Sequence, residues 1–124
     1  MLTVKNYLGY SPIHGIGLFA AEDIAKDTLI WTLGPGFDQV YTEEQVEALP
    51  AEARAYLDTY AFWEKGKLIF PGDNDRFTNH DDNPNTYIEA NGDVRARRDI
   101  KKDEEITGDY KEVCEQWQKK LNVR

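Results

Sequence analysis

The sequence predicts a mainly β domain built from small sheets, and three observations carry that expectation. Apolar residues recur in short runs, some of them alternating with polar residues as a half-buried strand requires. Glycine and proline punctuate the chain between those runs, at Gly9-Tyr10-Ser11-Pro12 and again at Gly34-Pro35-Gly36. Apolar residues at helical spacing occur in only two places, after Thr42 and at the C-terminal end. The 124 residues are one domain's worth, 1–124, with a modest core and no repeat, low-complexity tract or linker.

Taken in order, residues 2–7 (LTVKNY) alternate as a strand. The first turn follows at Gly9, and His14-Gly15-Ile16-Gly17 makes a second glycine-bearing bend. Residues 18–21 and 28–33 read as further strands. Thr42 can cap a helix while Gln45 reaches back to it, and Val46, Leu49, Ala53 and Leu57 keep a helical period. Pro50 would interrupt a single helix, so a short insert over 42–58 is expected in two pieces, the second starting near Pro50. Residues 67–70, 93–97 and 105–107 complete the strands. Val113, Trp117 and Leu121 lie four apart on a closing helix within 111–124.

Charge and cysteine usage narrow the function classes. The net charge is −8, from 23 acidic and 15 basic side chains, which argues against direct binding to nucleic acid. It suits a basic, lysine-containing partner, and it serves solubility equally well. No apolar run approaches the roughly 18 residues of a membrane span, and the N-terminus lacks a signal-peptide stretch. Cys114 is the only cysteine, so neither an intrachain disulfide nor a multi-cysteine zinc site is expected. The expected address is cytoplasmic, or nuclear in a eukaryotic source.

Three stretches concentrate the chemistry. In Ser11 to Ala20, Gly15 and Gly17 flank Ile16, which lets backbone approach a ligand with no Cβ in the way. The third glycine and following helix of a dinucleotide fingerprint are missing, and a tight hairpin turn explains the pair as well. From Arg76 to Asn85 runs a dense polar segment that reads as a solvated loop or a metal site. Calcium-loop spacing fails there, because counting from Asp73 the fifth position is Phe77 and the sixth is not glycine. The third stretch, Ala96 to Tyr110, is a strand, a charged turn and a second strand ending at a tyrosine fit for packing or for chemistry.

In combination, a glycine pair with L-F-A, then R-F-x-N-H-x-x-x-P-N, then A-x-R-x-I-x-x-x-E-E-I-T-x-D-Y resembles the SET-domain family from Ile13 to Tyr110. The resemblance implies small curled sheets with a C-terminal pseudoknot, where the Asn79-His80 and Tyr110 stretches meet. It also implies an S-adenosylmethionine-dependent methyltransferase acting on lysine side chains of a basic, histone-like protein. Gly15, Ile16, Gly17, Asn79 and His80 would line the cofactor site, although Asn79 and His80 could also satisfy buried backbone in the knot. Tyr110 matches the catalytic tyrosine. Tyr60 is similar to a second channel tyrosine, with core packing as its other role.

Two departures from the family pattern matter. Asp82 stands where many members carry a zinc-binding cysteine, so no metal is expected, and Trp117 either covers the adenine or packs on its helix face. Gly108 stands where many members carry an aromatic ring that limits methyl number, so the substrate channel, lined also by Tyr60, should be roomier and admit di- or trimethylation. The other readings are a degenerate module that binds a basic peptide without turnover, and methylation of a small molecule or a non-lysine group. The small core is compatible with a homodimer.

Overall fold

A computed structural model describes residues 1–113. Strands β1 (Asn6–Tyr10), β2 (Ile16–Ala20), β10 (Glu105–Gly108) and β7 (Asn79–His80) form one sheet in that order. A second holds β3 (Leu29–Trp31), β9 (Val94–Ala96) and β8 (Thr86–Ile88), and a third holds β4 (Gln39–Tyr41), β6 (Lys67–Phe70) and β5 (Phe62–Glu64). Helices α1 (Glu43–Glu47) and α2 (Ala51–Tyr60) lie between β4 and β5, a 3₁₀ turn spans Asn74–Phe77, and α3 covers Tyr110–Val113.

The helical insert forms as its sequence dictates. Thr42 Oγ1 accepts from the Gln45 amide at 3.1 Å, and Gln45 Oε1 accepts from the Thr42 amide at 2.9 Å, closing the capping box. Pro50 caps α2, where its missing N–H removes no helical bond. The first strand, by contrast, is displaced from the 2–7 window. Thr3 donates its amide to the Ile30 carbonyl at 2.8 Å and Leu2 bridges to Trp31, so the first residues run beside β3. Gly9 and Tyr10, expected in a turn, pair in β1 with Gly17 and Ile16. The reversal falls instead at 11–15, closed by the Ser11 amide on the Gly15 carbonyl at 2.8 Å, with Gly15 at φ +46°.

The main core lies between the first two sheets. Leu18, Ala20, Ile24, Ile30, Ala96, Ile100 and Ile106 are buried together, and each fully buried Leu or Ile contributes roughly 1.5–3 kcal/mol. A smaller cluster of Leu57, Ala61 and Leu68 anchors α2 to the third sheet. Strand β7 was hidden by its polar composition. It pairs parallel with β10, Asn79 opposite Thr107 and His80 opposite Gly108, and this brings the middle of the chain against its later part.

Asn85 fastens the same junction. Its side chain mimics a peptide group, accepting from the Thr107 amide at 2.9 Å and donating to the Glu105 carbonyl at 2.7 Å. No helix among the described residues is long and apolar enough to cross a membrane.

Candidate active site

Two cavities open on the junction of β7, β10 and the insert. The larger, about 240 Å³, is walled by His14, Gly15 and Ile16 from the hairpin turn and by Phe77 and Asn79. The smaller, about 90 Å³, is walled by Phe62, Pro71, Asp75, Thr86, Val94 and Gly108. Thr59, Tyr60, Arg76, Thr78 and Tyr110 belong to both walls.

Each shared residue is held by its element. Tyr60 is the last residue of α2, and its ring packs on Tyr56 at 4.7 Å and on Phe77 at 5.3 Å between centroids. Tyr110 is fixed at both ends: its amide donates to His80 Nδ1 at 3.1 Å and its hydroxyl donates to the Thr78 carbonyl at 3.0 Å. Because His80 Nδ1 accepts, the ring proton sits on Nε2, which donates to Asp82 Oδ1 at 2.7 Å. That hydrogen bond from His80, aided by its charge when protonated, lowers the Asp82 pKa. His80 stands in neither cavity wall and acts on the site through the Tyr110 backbone.

Asn79 is buried and faces two ways. It lines the larger cavity, while the two hydrogens of its Nδ2 are shared among the His14 carbonyl at 2.9 Å, the Ile16 carbonyl at 3.2 Å and Glu105 Oε2 at 3.0 Å. The side chain therefore shapes the turn that presents Gly15 and Ile16. Ser11 completes this knot by donating its hydroxyl to Glu105 Oε1 at 2.8 Å.

The two glycines of the turn differ. Gly15 needs its positive φ and has nothing within 4 Å of where a Cβ would stand, so that side of the cavity is unobstructed. Gly17 is buried outside the cavity wall, and a Cβ there would lie 2.5 Å from Glu105 Oε2. Its lack of a side chain serves packing against the Glu105 knot.

In the smaller cavity, Gly108 is buried, and the position of its absent Cβ lies 3.8 Å from both Thr78 Cγ2 and Thr86 Oγ1. Asp75 is an unusual wall residue. Burial, reinforced by the nearby Asp73 carboxylate, pushes its carboxyl up to about 7 against the opposing pull of the N-terminal ammonium and the Thr78 hydroxyl. Arg76 is engaged elsewhere: Nη2 donates to the Pro71 carbonyl at 2.9 Å, Nη1 to the Tyr56 hydroxyl at 3.3 Å, and the guanidinium lies 4.2 Å over the Phe70 ring.

Gly15, Ile16, Asn79, Tyr60, Tyr110 and Gly108 thus come together around the paired cavities. Gly17 and His80 support them from behind, and Trp117 lies outside the described residues. Among those residues no group of three or more His, Cys, Asp or Glu side chains could hold a metal. Arg76, Phe77 and Thr78 belong to the polar stretch but had no role assigned from sequence. Thr59, Asp75 and Thr86 carry no motif and become visible only through the cavity walls.

The SET domain family matches residues 15–111. Histone-lysine N-methyltransferase trr of Drosophila melanogaster is 33% identical over 85% of this chain, and histone-lysine N-methyltransferase set-2 of Caenorhabditis elegans 36% identical over 82%. The matches span only 5% and 7% of those two proteins. Among solved structures, a Plasmodium falciparum protein described as a proposed histone methyltransferase superposes with a TM-score of 0.64 at 29% identity, covering 88% of this chain and 95% of that one. The Chaetomium thermophilum Polycomb Repressive Complex 2 bound to GSK126 shares the fold at a TM-score of 0.67 and 23% identity, over 97% of this chain and 17% of its own. With motifs, topology and family match in agreement over residues 15–111, this chain belongs to the SET-domain family.

Proposed function

We propose that this protein transfers a methyl group from S-adenosylmethionine to the side-chain amine of lysine in a basic protein. The observation that carries the reading is the pair of cavities meeting at Tyr60 and Tyr110, one bordered by the Gly15-Ile16 turn and Asn79, the other narrow and mostly apolar. Methyl transfer by in-line displacement needs the donor and the amine on opposite sides of the moving carbon, which two cavities joined at one wall provide.

S-adenosylmethionine supplies an electrophilic methyl on a positively charged sulfur. The residues present fit such a group. Gly15 leaves its side of the larger cavity open, and the exposed residues Gly15 and Ile16 border it without a bulky side chain at Gly15 in the way. The volume of about 240 Å³ accommodates part of a molecule that size, since complete ligand pockets run from about 300 Å³ upward.

The chain's own residues then prepare the amine. A lysine with a pKa of about 10.4 is neutral only about once in a few thousand at pH 7, and a narrow apolar cavity disfavours its ammonium form. Tyr110 lines both cavities with its hydroxyl proton donated to the Thr78 carbonyl, and in this reading its oxygen accepts from the amine and orients it. The net charge of −8 favours encounter with a basic substrate, an attraction that added salt weakens.

The test is intact-mass spectrometry of lysine-rich proteins and peptides incubated with the protein and S-adenosylmethionine. Methyl mass gained on lysine supports the reading. No gain on any substrate, together with no cofactor binding by calorimetry, overturns it.

The room beside Gly108 sets a second expectation. The wild-type protein is expected to carry lysine to the di- or trimethyl state, and Gly108→Phe, which fills space bordered by Thr78 and Thr86, to stall at monomethyl-lysine. Product distributions under excess enzyme measure this. Monomethyl-lysine as the wild-type end product would contradict it.

A further inference from the structure

The smaller cavity holds one acidic residue in its wall, Asp75. It lies in the 3₁₀ turn that leads into β7. Asp75 Oδ1 accepts from the Thr78 hydroxyl at 3.2 Å, and Oδ2 accepts no hydrogen bond among the described residues. The carbonyl of the same Thr78 accepts from the Tyr110 hydroxyl at 3.0 Å. One residue therefore links the carboxyl to the phenol at the cavity junction.

Nothing in the cavity neutralises Asp75. Arg76, the basic residue of that wall, gives its guanidinium to Pro71 and Tyr56 and forms no ion pair with Asp75. An acid serving only to hold the Thr78 hydroxyl needs one accepting oxygen, which an asparagine supplies as well. The second oxygen of Asp75 is thus left without a donor in a cavity wall where an entering cation could pair with it.

We propose that Asp75 receives the ammonium of the incoming lysine in the smaller cavity and takes its proton before methyl transfer. This rests on the lysine-methylation reading above. The proton passes from Nζ to Asp75 Oδ2, leaving the N–H electron pair on nitrogen and a neutral carboxylic acid on the wall. That lone pair forms the new N–C bond while the S–C bond breaks with its electrons going to sulfur. The positive charge ends on the methylated amine, and Asp75 returns its proton to water as product leaves.

The surrounding charges suit a group that must both take and release a proton. Burial, then Asp73, with Asp38 adding to it, raise the carboxyl, while the N-terminal ammonium and the Thr78 hydroxyl lower it, leaving it at about 7. Arg76 and the tyrosines Tyr60 and Tyr110 are the other titratable groups in the same wall.

The test compares the pH dependence of kcat/KM for a lysine peptide between the wild type and Asp75→Asn, at saturating S-adenosylmethionine. Asparagine keeps the acceptor for Thr78. Wild-type kcat/KM for the peptide is expected to rise through pH about 7, where the free enzyme's Asp75 ionises, and level off. The variant is expected to fall at least about tenfold near pH 7.5 and then climb about tenfold per pH unit without that plateau, because solvent must take the proton. Cofactor affinity, read by calorimetry, should not change.

A variant profile parallel to the wild type, at any height, overturns the proposal. Should Asp75→Asn fail to fold, Asp75→Glu carries the readout, since a displaced carboxyl must move the acidic limb and an unmoved limb overturns the proposal. A wild-type protein that makes no methyl-lysine removes the functional reading itself, whereas methylation with parallel profiles removes only the role of Asp75.

Discussion

Tyr110→Phe is expected to lower kcat by about two to three orders of magnitude while cofactor affinity stays within about twofold, the pattern of a group that acts on the reacting atoms. The phenol stands in the wall of both cavities, so in the proposed reaction it is among the few side chains able to touch amine and methyl at once. Its proton is committed to the Thr78 carbonyl, which fixes the direction of the oxygen lone pairs. Removing that oxygen leaves the ring in place but takes away an oriented acceptor, and misorientation of a bound amine is costly in a displacement that tolerates little angular error.

The fold should barely register the change. The part-buried hydrogen bond to the Thr78 carbonyl is lost, worth about 1 kcal/mol, while the Tyr110 amide still anchors on His80 Nδ1 at 3.1 Å. Methyl incorporation into a peptide, measured beside thermal melting, separates the two effects. A loss of activity matched by a large loss of melting temperature would assign Tyr110 to structure alone.

How much of this was legible in the sequence depended on whether a residue's signal was local. The capping box at Thr42 and Gln45, and the break at Pro50, are short-range backbone chemistry, and they formed where the letters placed them. Strand β6 over Lys67–Phe70 was equally plain, because the apolar run Leu68-Ile69-Phe70 next to the Lys65-Gly66 turn has few other uses. Strands β4, β5 and β8 have three residues each, too few for a period of two to emerge, and they exist because partners in the third and second sheets complete them. Strand β7 reads as polar loop because Asn79 and His80 satisfy their side chains inside the junction, a non-local fact.

The site divides along the same line. Tyr110, Tyr60, Asn79 and the Gly15-Ile16 pair sit in motifs whose order is visible in one dimension. The division of labour behind them is not. Gly17 and Glu105 form a packing knot joined by Ser11 and Asn79, partners 94 and 26 residues from Glu105 in sequence. Asp75 and Thr86 look like ordinary polar residues until the cavity wall gathers them.

Asp38→Ala is expected to destabilise the protein by about 3 kcal/mol, a loss of roughly 10 °C in melting temperature for a chain of this length. The side chain is fully buried, and its oxygens accept from the Gly72 amide at 2.8 Å, the Gly34 amide at 2.8 Å and the Met1 ammonium at 2.7 Å. Alanine would strand those donors, and it would loosen the chain entering the 3₁₀ turn of the cavity wall. Gly72 packs so tightly on Phe37 that a Cβ there would lie 2.4 Å from the Phe37 carbonyl oxygen, so the loop cannot simply close over the gap.

The pH dependence of that loss is a stricter test, because two carboxyls pull in opposite directions. Burial alone would raise Asp38, but the donors from Gly72, the N-terminus and Gly34 outweigh it and hold the pKa below 3.8. Its stabilisation is therefore complete above the unfolded pKa and disappears as pH falls through the folded value, so the gap between wild type and Asp38→Ala should narrow in acid. Asp75 behaves in reverse. With a folded pKa of about 7 against an unfolded value of 3.8, the native state keeps a proton that the unfolded chain has released. Stability should decline as pH rises from about 4 to about 7 and then stay at the lower level.

Solvent screening at this partly exposed group limits the decline to about 2 kcal/mol. Asp75→Asn should abolish it, making the variant the more stable protein at pH 8. Thermal melts from pH 2 to pH 8 on the wild type and both variants resolve the two limbs. A wild-type profile that instead rises from pH 4 to pH 7 would mean that Asp75 is ionised and paired in the native state, and the carboxyl would then be unable to serve an incoming ammonium.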